Sequence, residues 1–203
     1  MKKLMMIAAM MLMSMGAFAQ NEVGQVTLQP KVGMNLSTIT GGALSDKKTK
    51  VGLVAGVEAE YGVAENFGLS AGVLYSMEGI KYSRKYLGAD ATIRGDFDYI
   101  NIPILANYYL VKGLAVKAGV QPAFNVRHKE KYEVTANGQS ISETEDAEGV
   151  QSFNFSIPVG LSYEYESFVL DARYNIGITK IFKDADEGRN STFSITIGYK
   201  FAL

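Results

Sequence analysis

The sequence predicts an all-β fold, an eight-stranded antiparallel up-and-down transmembrane β-barrel, from three observations. Apolar and polar residues alternate with a period of two along almost the whole chain, the signature of strands with two unlike faces. The connections between those strands alternate between short and long. The apolar face of the expected strands is all but free of charge.

The first segment stands apart from that fold. Met1-Lys2-Lys3 is basic, Leu4 to Phe18 is a Met- and Ala-rich apolar run, and Ala17-Phe18-Ala19 before Gln20 is a small-x-small cleavage site. This is the pattern of an export signal, and an apolar run of about 15 residues is short for a spanning helix. Residues 1–19 are therefore expected to be a signal peptide and residues 20–203 one barrel domain. Past residue 19 no apolar run reaches the length of a spanning helix, so a membrane crossing falls to strands.

In chain order the expected strands begin with residues 28–36, where Leu28, Pro30, Val32, Met34 and Leu36 oppose Gln29, Lys31, Gly33 and Asn35. Residues 51–61 place Val51, Leu53, Ala55, Val57, Ala59 and Tyr61 on one face and Gly52, Gly56, Glu58 and Glu60 on the other. The same alternation marks residues 67–78, 98–110, 114–126, 151–165, 168–178 and 191–203. Each is long enough for a tilted strand to cross a hydrocarbon core. Residues 62–66, 111–113 and 165–167 are tight turns, whereas 37–49, 79–97, 127–150 and 179–190 read as long polar loops. Short turns on one side and long loops on the other is the layout of an outer-membrane barrel.

The polar face is mostly Gly, Ser and Asn rather than Lys and Glu, which suits a narrow lumen better than a solvated surface. A basic side chain at mid-bilayer costs on the order of 2 to 4 kcal/mol, so a charge-free outer face is expected of a lipid-facing strand. Tyr61, Phe67, Tyr108, Tyr163, Tyr165, Phe168, Tyr199 and Phe201 gather near the short turns as an interfacial girdle, and Phe124, Phe153 and Phe193 mark a thinner outer one. Pro103, Pro122 and Pro158 fall inside expected strands; lacking an N–H, each is expected at a bulge or near a rim.

The segments Lys31-Val32-Gly33-Met34-Asn35-Leu36-Ser37, Tyr99-Ile100-Asn101-Ile102-Pro103-Ile104-Leu105 and Asp171-Ala172-Arg173-Tyr174-Asn175-Ile176-Gly177 resemble the PorT-like outer-membrane β-barrel family of the Bacteroidetes. The resemblance implies an outer-membrane location over essentially the whole mature chain, with one family member tied to secretion and most without an assigned molecular role. Thr196, Gly198, Phe201 and Leu203 also resemble the C-terminal signal read by the barrel-assembly machinery. That machinery and outer-membrane lipid are the implied partners, and a cell-surface or secretion partner is open.

No enzyme is legible. The one histidine, His128, opens a long loop, and a hydrolytic triad would need a nucleophile and an orienting carboxylate beside it. No catalytic residue, cofactor or metal is expected: there is no cysteine, and Asp184-Ala185-Asp186-Glu187-Gly188 lacks the terminal ligand of a calcium loop. A net charge of −1 with scattered Lys and Arg gives no footprint for nucleic acid.

Two constellations remain. Glu58, Glu60, Lys117, Asp171, Arg173 and Lys200 fall on the inward face. Eight-stranded barrels fill their interior with side chains, so these are expected to form a paired structural network with Arg173 as the main counter-charge to Glu58 and Glu60, the alternative being a small ion path. Lys81, Tyr82, Arg84, Lys85 and Tyr86 make loop 79–97 basic and aromatic, and Glu133, Glu143, Glu145, Asp146 and Glu148 make loop 128–150 acidic. The two loops are expected to face each other across the barrel mouth as a contact surface. The functional expectation is a non-enzymatic barrel with a structural or binding role through these loops. A small pore, a secretion-associated barrel, a lipocalin-like carrier and an embedded enzyme are the alternatives.

Overall fold

The computed structural model describes residues 23–41, 47–86, 89–136, 139–147, 149–182 and 188–203. The expected signal peptide and the acidic run at 184–187 lie outside them. The strands are β1 (Val26–Thr40), β2 (Lys47–Lys48), β3 (Lys50–Ala64), β4 (Phe67–Tyr86), β5 (Ala89–Asn101), β6 (Ile104–Val111), β7 (Leu114–Ala136), β8 (Gln139–Asp146), β9 (Phe153–Tyr165), β10 (Phe168–Lys180), β11 (Arg189–Tyr199) and β12 (Phe201–Ala202). β2 and β3, β5 and β6, β8 and β9, and β11 and β12 each form one interrupted stave, so that eight antiparallel staves make the wall. The ring closes where β1 pairs with β11 from Lys31↔Gly198 to Thr40↔Arg189, and with β12 at Thr27↔Ala202 and Leu28↔Phe201.

Turn chemistry sets one rim. Ala64 pairs with Phe67, Val111 with Leu114 and Tyr165 with Phe168, leaving two-residue turns at Glu65-Asn66, Lys112-Gly113 and Glu166-Ser167. Two of the three take the positive φ common in tight hairpins, at Gly113 (φ 79) and Glu166 (φ 55). At about 3.3 Å per residue and a tilt near 40°, the 15 residues of β3 rise roughly 38 Å along the barrel axis, enough to cross a hydrocarbon core of about 30 Å.

Each face keeps its chemistry along the wall. Outward residues such as Met34 (53% exposed), Leu161 (51%) and Ile197 (54%) leave a wide apolar surface, while Asn35, Asn107 and Asp171 are buried inside. A water-soluble protein does not expose an apolar surface of that extent; a lipid-facing barrel does. On the short-turn side Phe168 meets Tyr199 edge to face and Tyr199 meets Phe201 at a tilt, with centroids 5.2 Å and 4.7 Å apart. Phe124 and Phe153 meet edge to face at 5.6 Å on the other side.

The prolines are neither at bulges nor at rims. Asn101↔Ala123 and Ile104↔Val120 keep one register across Pro103 and Pro122. Ile102 N donates to the Pro122 carbonyl at 2.9 Å and Gly72 N to the Pro103 carbonyl at 3.1 Å, but neither proline can return the bond. The expected strand 98–110 is thus one stave that loses ladder bonds without losing register. Opposite Pro158 the β7–β9 ladder skips from Ala118↔Val159 to Gln121↔Ser156, and Pro30 interrupts the closing seam in the same way.

Two of the expected loops are not loops. Residues 79–86 and 89–97 continue β4 and β5 as a paired hairpin, and residues 127–136 continue β7 and pair with β8. Because β5 also pairs with β7 from Asp98↔Arg127 to Ala89↔Ala136, the two hairpins form a single sheet that extends past the barrel. β2 adds to its other edge through Lys48↔Lys81. The bonding pattern of the wall simply propagates beyond the belt.

Candidate functional site

Inward side chains divide the lumen into layers. In the middle, Lys31, Glu58, Lys117, Asp171 and Arg173 form one buried network. The Arg173 guanidinium donates to Glu58 at 2.8 Å and to Asp171 at 3.0 Å. Lys31 pairs with Glu58 and reaches Asp171 at 3.6 Å, and Lys117 lies 3.2 Å from Asp171. Buried charge is tolerated only with this density of partners. The parity of residues 51–61 and 168–178 put Glu58, Asp171 and Arg173 on one face, and cross-barrel reach joins them.

Nearer the short-turn rim lies a second, separate cluster. Lys200 donates to Glu164 at 2.6 Å and sits 3.5 Å from Glu60, while the Tyr109 hydroxyl donates to Glu60 at 2.6 Å. The expectation that Arg173 serves both Glu58 and Glu60 is therefore corrected. Two positions along β3 separate these acids by a full layer, and Glu60 belongs with Lys200. Lys31 and Glu164 also complete these clusters. Their even spacing from the buried neighbours Gln29 and Ser162 is the sequence signal that marks them.

Above the central network, Glu78 is buried among neutral groups. Its carboxylate accepts hydrogen bonds from Ser76 at 2.7 Å, Asn101 at 3.2 Å, Thr192 at 3.0 Å and Asn190. Glu78 ends the expected strand 67–78 on its polar face, and reading the strand as stopping there hid its place in the lumen. Beyond it an apolar plug of Ile39, Phe97, Ala147 and Ile181, packed by Ile80, Val150 and Phe182, fills the outer mouth. Phe97 and Phe182 meet edge to face at 5.9 Å.

The extended sheet carries the other expected surface. Directly paired residues share a face, so Lys48, Lys81, Arg94 and Lys131 form one transverse row of cations. By parity with lipid-facing Val73 and Tyr75, that row lies on the outward face. The opposite face holds Tyr82, Ile93 and Tyr132 with Glu130, Glu143 and Glu145. The basic and acidic segments are hence neighbours in one sheet, their charges divided between its two faces, and do not oppose each other across a mouth. Glu133 lies 3.8 Å from Lys131 and Asp146 pairs with Lys129 in the ladder. Arg84, Lys85 and Tyr86 sit on the outer end of β4, and Glu148 lies outside the described residues. His128 contacts Asn125 at 3.0 Å. No group of three or more His, Cys, Asp or Glu able to hold a metal occurs among the described residues.

The model of the outer membrane protein beta-barrel domain matches residues 18–183. The chain belongs to that family. Among solved structures, the barrel is similar to Ail, the attachment invasion locus protein of Yersinia pestis, at 16% identity and a TM-score of 0.50, covering 89% of this chain and 100% of that one. It is similar to Neisserial surface protein A at 15% identity and a TM-score of 0.48, covering 87% and 97%. At such identity the likeness to Ail speaks for the fold alone. No curated protein gives a significant sequence match. An outer-membrane barrel lives in a lipid bilayer, and the apolar belt of this one meets that requirement residue by residue.

Proposed function

We propose that this barrel is a non-enzymatic cell-surface protein that binds an anionic partner through the sheet extending from β4, β5, β7 and β8. The observation that carries the reading is the row Lys48, Lys81, Arg94 and Lys131. Like charges directly opposite one another destabilise a sheet, and an anion laid across the row would relieve that repulsion. Asp96 pairs instead with Lys50 at 2.7 Å, and Glu133 lies 3.8 Å from Lys131, at one end of the row. The lumen supports a binding role over a pore: ion pairs fill its middle and an apolar plug its outer mouth. In this reading residues 1–19 direct export and are removed, the assembly machinery recognises the final strand, and the finer kinship lies with PorT-like barrels.

The test cuts each hairpin at a cross-strand pair. Joining Ile80 to Gly95 and Glu130 to Glu145 through Asn-Gly turns removes Lys81, Arg94 and Lys131 while respecting the ladder register and the preferred hairpin chemistry. The trimmed barrel is expected to stay folded and heat-modifiable on a detergent gel while losing binding to polyanion-coated beads. Unchanged retention by the trimmed protein would move the contact surface elsewhere.

A further inference from the structure

We infer that the row of cations on the extended sheet binds the phosphorylated sugar headgroups of the lipids around the barrel. The inference deepens the anionic-partner reading and rests on it; what it adds is the side from which the anion comes. Above the belt the sheet has two faces of opposite charge. Lys48, Lys81, Arg94 and Lys131 lie in one cross-strand row, on the face that lower down carries Val73 and Tyr75, 53% and 37% exposed. Glu130, Glu143 and Glu145 lie on the other face. The first face looks toward the surrounding leaflet and the second toward the barrel axis. A soluble polyanion can approach an exposed sheet from either side and does not require the charges to be sorted this way. Lipid headgroups meet the outward side alone.

The acids of the outward face do not neutralise the row. Asp96 pairs with Lys50 at 2.7 Å, Asp98 lies 3.6 Å from Arg127 and Glu133 lies 3.8 Å from Lys131, while Asp146 stands opposite Lys129. Among the described residues no carboxylate pairs with Lys48, Lys81 or Arg94. Height then selects the headgroup. Tyr75, Phe124 and Phe153 lie in one cross-strand row with Ile100, and rings at such a level mark the membrane interface. Lys81 stands six positions beyond Tyr75 on the same strand. At about 3.3 Å per residue and a tilt near 40°, the cations lie roughly 15 Å above the aromatic row. The headgroup layer of a glycerophospholipid is only about 5 to 8 Å deep, so its phosphate falls short of them. A headgroup of several sugars bearing phosphates reaches that level, and Lys and Arg bend their long stems toward such charge.

The probe is rough lipopolysaccharide, intact or stripped of its phosphates by hydrofluoric acid, titrated into the full barrel in zwitterionic detergent and counted on the protein by native mass spectrometry. The intact glycolipid is expected to bind at lower concentration than the stripped form. Each Lys or Arg near an anionic surface contributes about fivefold, so a variant carrying Lys81→Gln, Arg94→Gln and Lys131→Gln should bind the intact form on the order of a hundredfold more weakly. Lys112→Gln, in a turn of the opposite rim, should bind like wild type. A second measurement needs no variant: in lipid nanodiscs, acetylation of Lys81 and Lys131 relative to Lys112 should slow when the disc contains the intact glycolipid. Equal affinity for the two glycolipids, an unweakened triple variant, or unslowed acetylation would each overturn the inference. If the wild type then still holds polyanion-coated beads, the anionic-partner reading stands and the anion comes from solution; if it releases them as well, both fall.

Discussion

The central network makes a prediction in which two partners of one ion pair behave differently. Glu58 accepts from Arg173 and pairs with Lys31. Glu58→Gln leaves Lys31, Lys117 and Arg173 facing Asp171 alone, two positive charges in excess in a buried layer. Breaking a buried pair so that charge is left uncompensated costs about 3 to 5 kcal/mol. Arg173→Met instead removes the surplus cation. Lys31 and Lys117 still stand against Glu58 and Asp171, and the loss is confined to the hydrogen bonds of the guanidinium, about 1 to 3 kcal/mol. With a urea slope of about 2 kcal/mol/M, the midpoint should fall by about 2 M for Glu58→Gln and about 1 M for Arg173→Met. The double variant should be less damaged than the two losses added, because the residues are in contact. The assay is unfolding of the barrel in detergent, read as loss of the compact unboiled band. An Arg173→Met barrel as unstable as Glu58→Gln, or both at the wild-type midpoint, would refute the charge balance drawn for this layer.

Three further outcomes are expected. A Cβ at Gly33 would lie 1.9 Å from the Ile195 carbonyl oxygen across the closing seam; Gly33→Ala should therefore impair closure, costing at least about 1 to 3 kcal/mol of overpacking, and a variant as heat-stable as wild type would contradict that. Phe97→Ala, at a side chain 1% exposed in the apolar plug, should cost about 3 to 5 kcal/mol in the same urea assay; a wild-type midpoint would show that the plug is not packed. Planar bilayers containing the barrel should show no steady conductance, since side chains fill an eight-stranded lumen; discrete open steps would restore the pore reading.

By itself the sequence determined the architecture, because a two-residue period needs no tertiary information. Val51, Leu53 and Ala55 against Gly52, Gly56 and Glu58 state which side meets lipid, and that parity persists wherever the ladder is unbroken. It also placed Glu58, Glu60, Lys117, Asp171, Arg173 and Lys200 on the lumen side. Parity does not say which strands lie opposite each other or at what height, so the division into a Glu58 layer and a Glu60 layer appears only with the register of β3, β10 and β12. The outer segments misled for a related reason. Polar, charged runs such as Lys81 to Arg94 read as loops when only burial is expected to hold a strand together, yet backbone bonds inherited from the wall carry β4, β5 and β7 outward as a sheet. The prolines misled in the opposite direction, since a missing N–H removes one ladder bond while neighbouring pairs keep Asn101 and Ile104 in register. Glu78 shows the difference most plainly: its alternation was visible, but its lack of a counter-charge is a property of the closed ring, which brings Asn190 and Thr192 from the last stave against it.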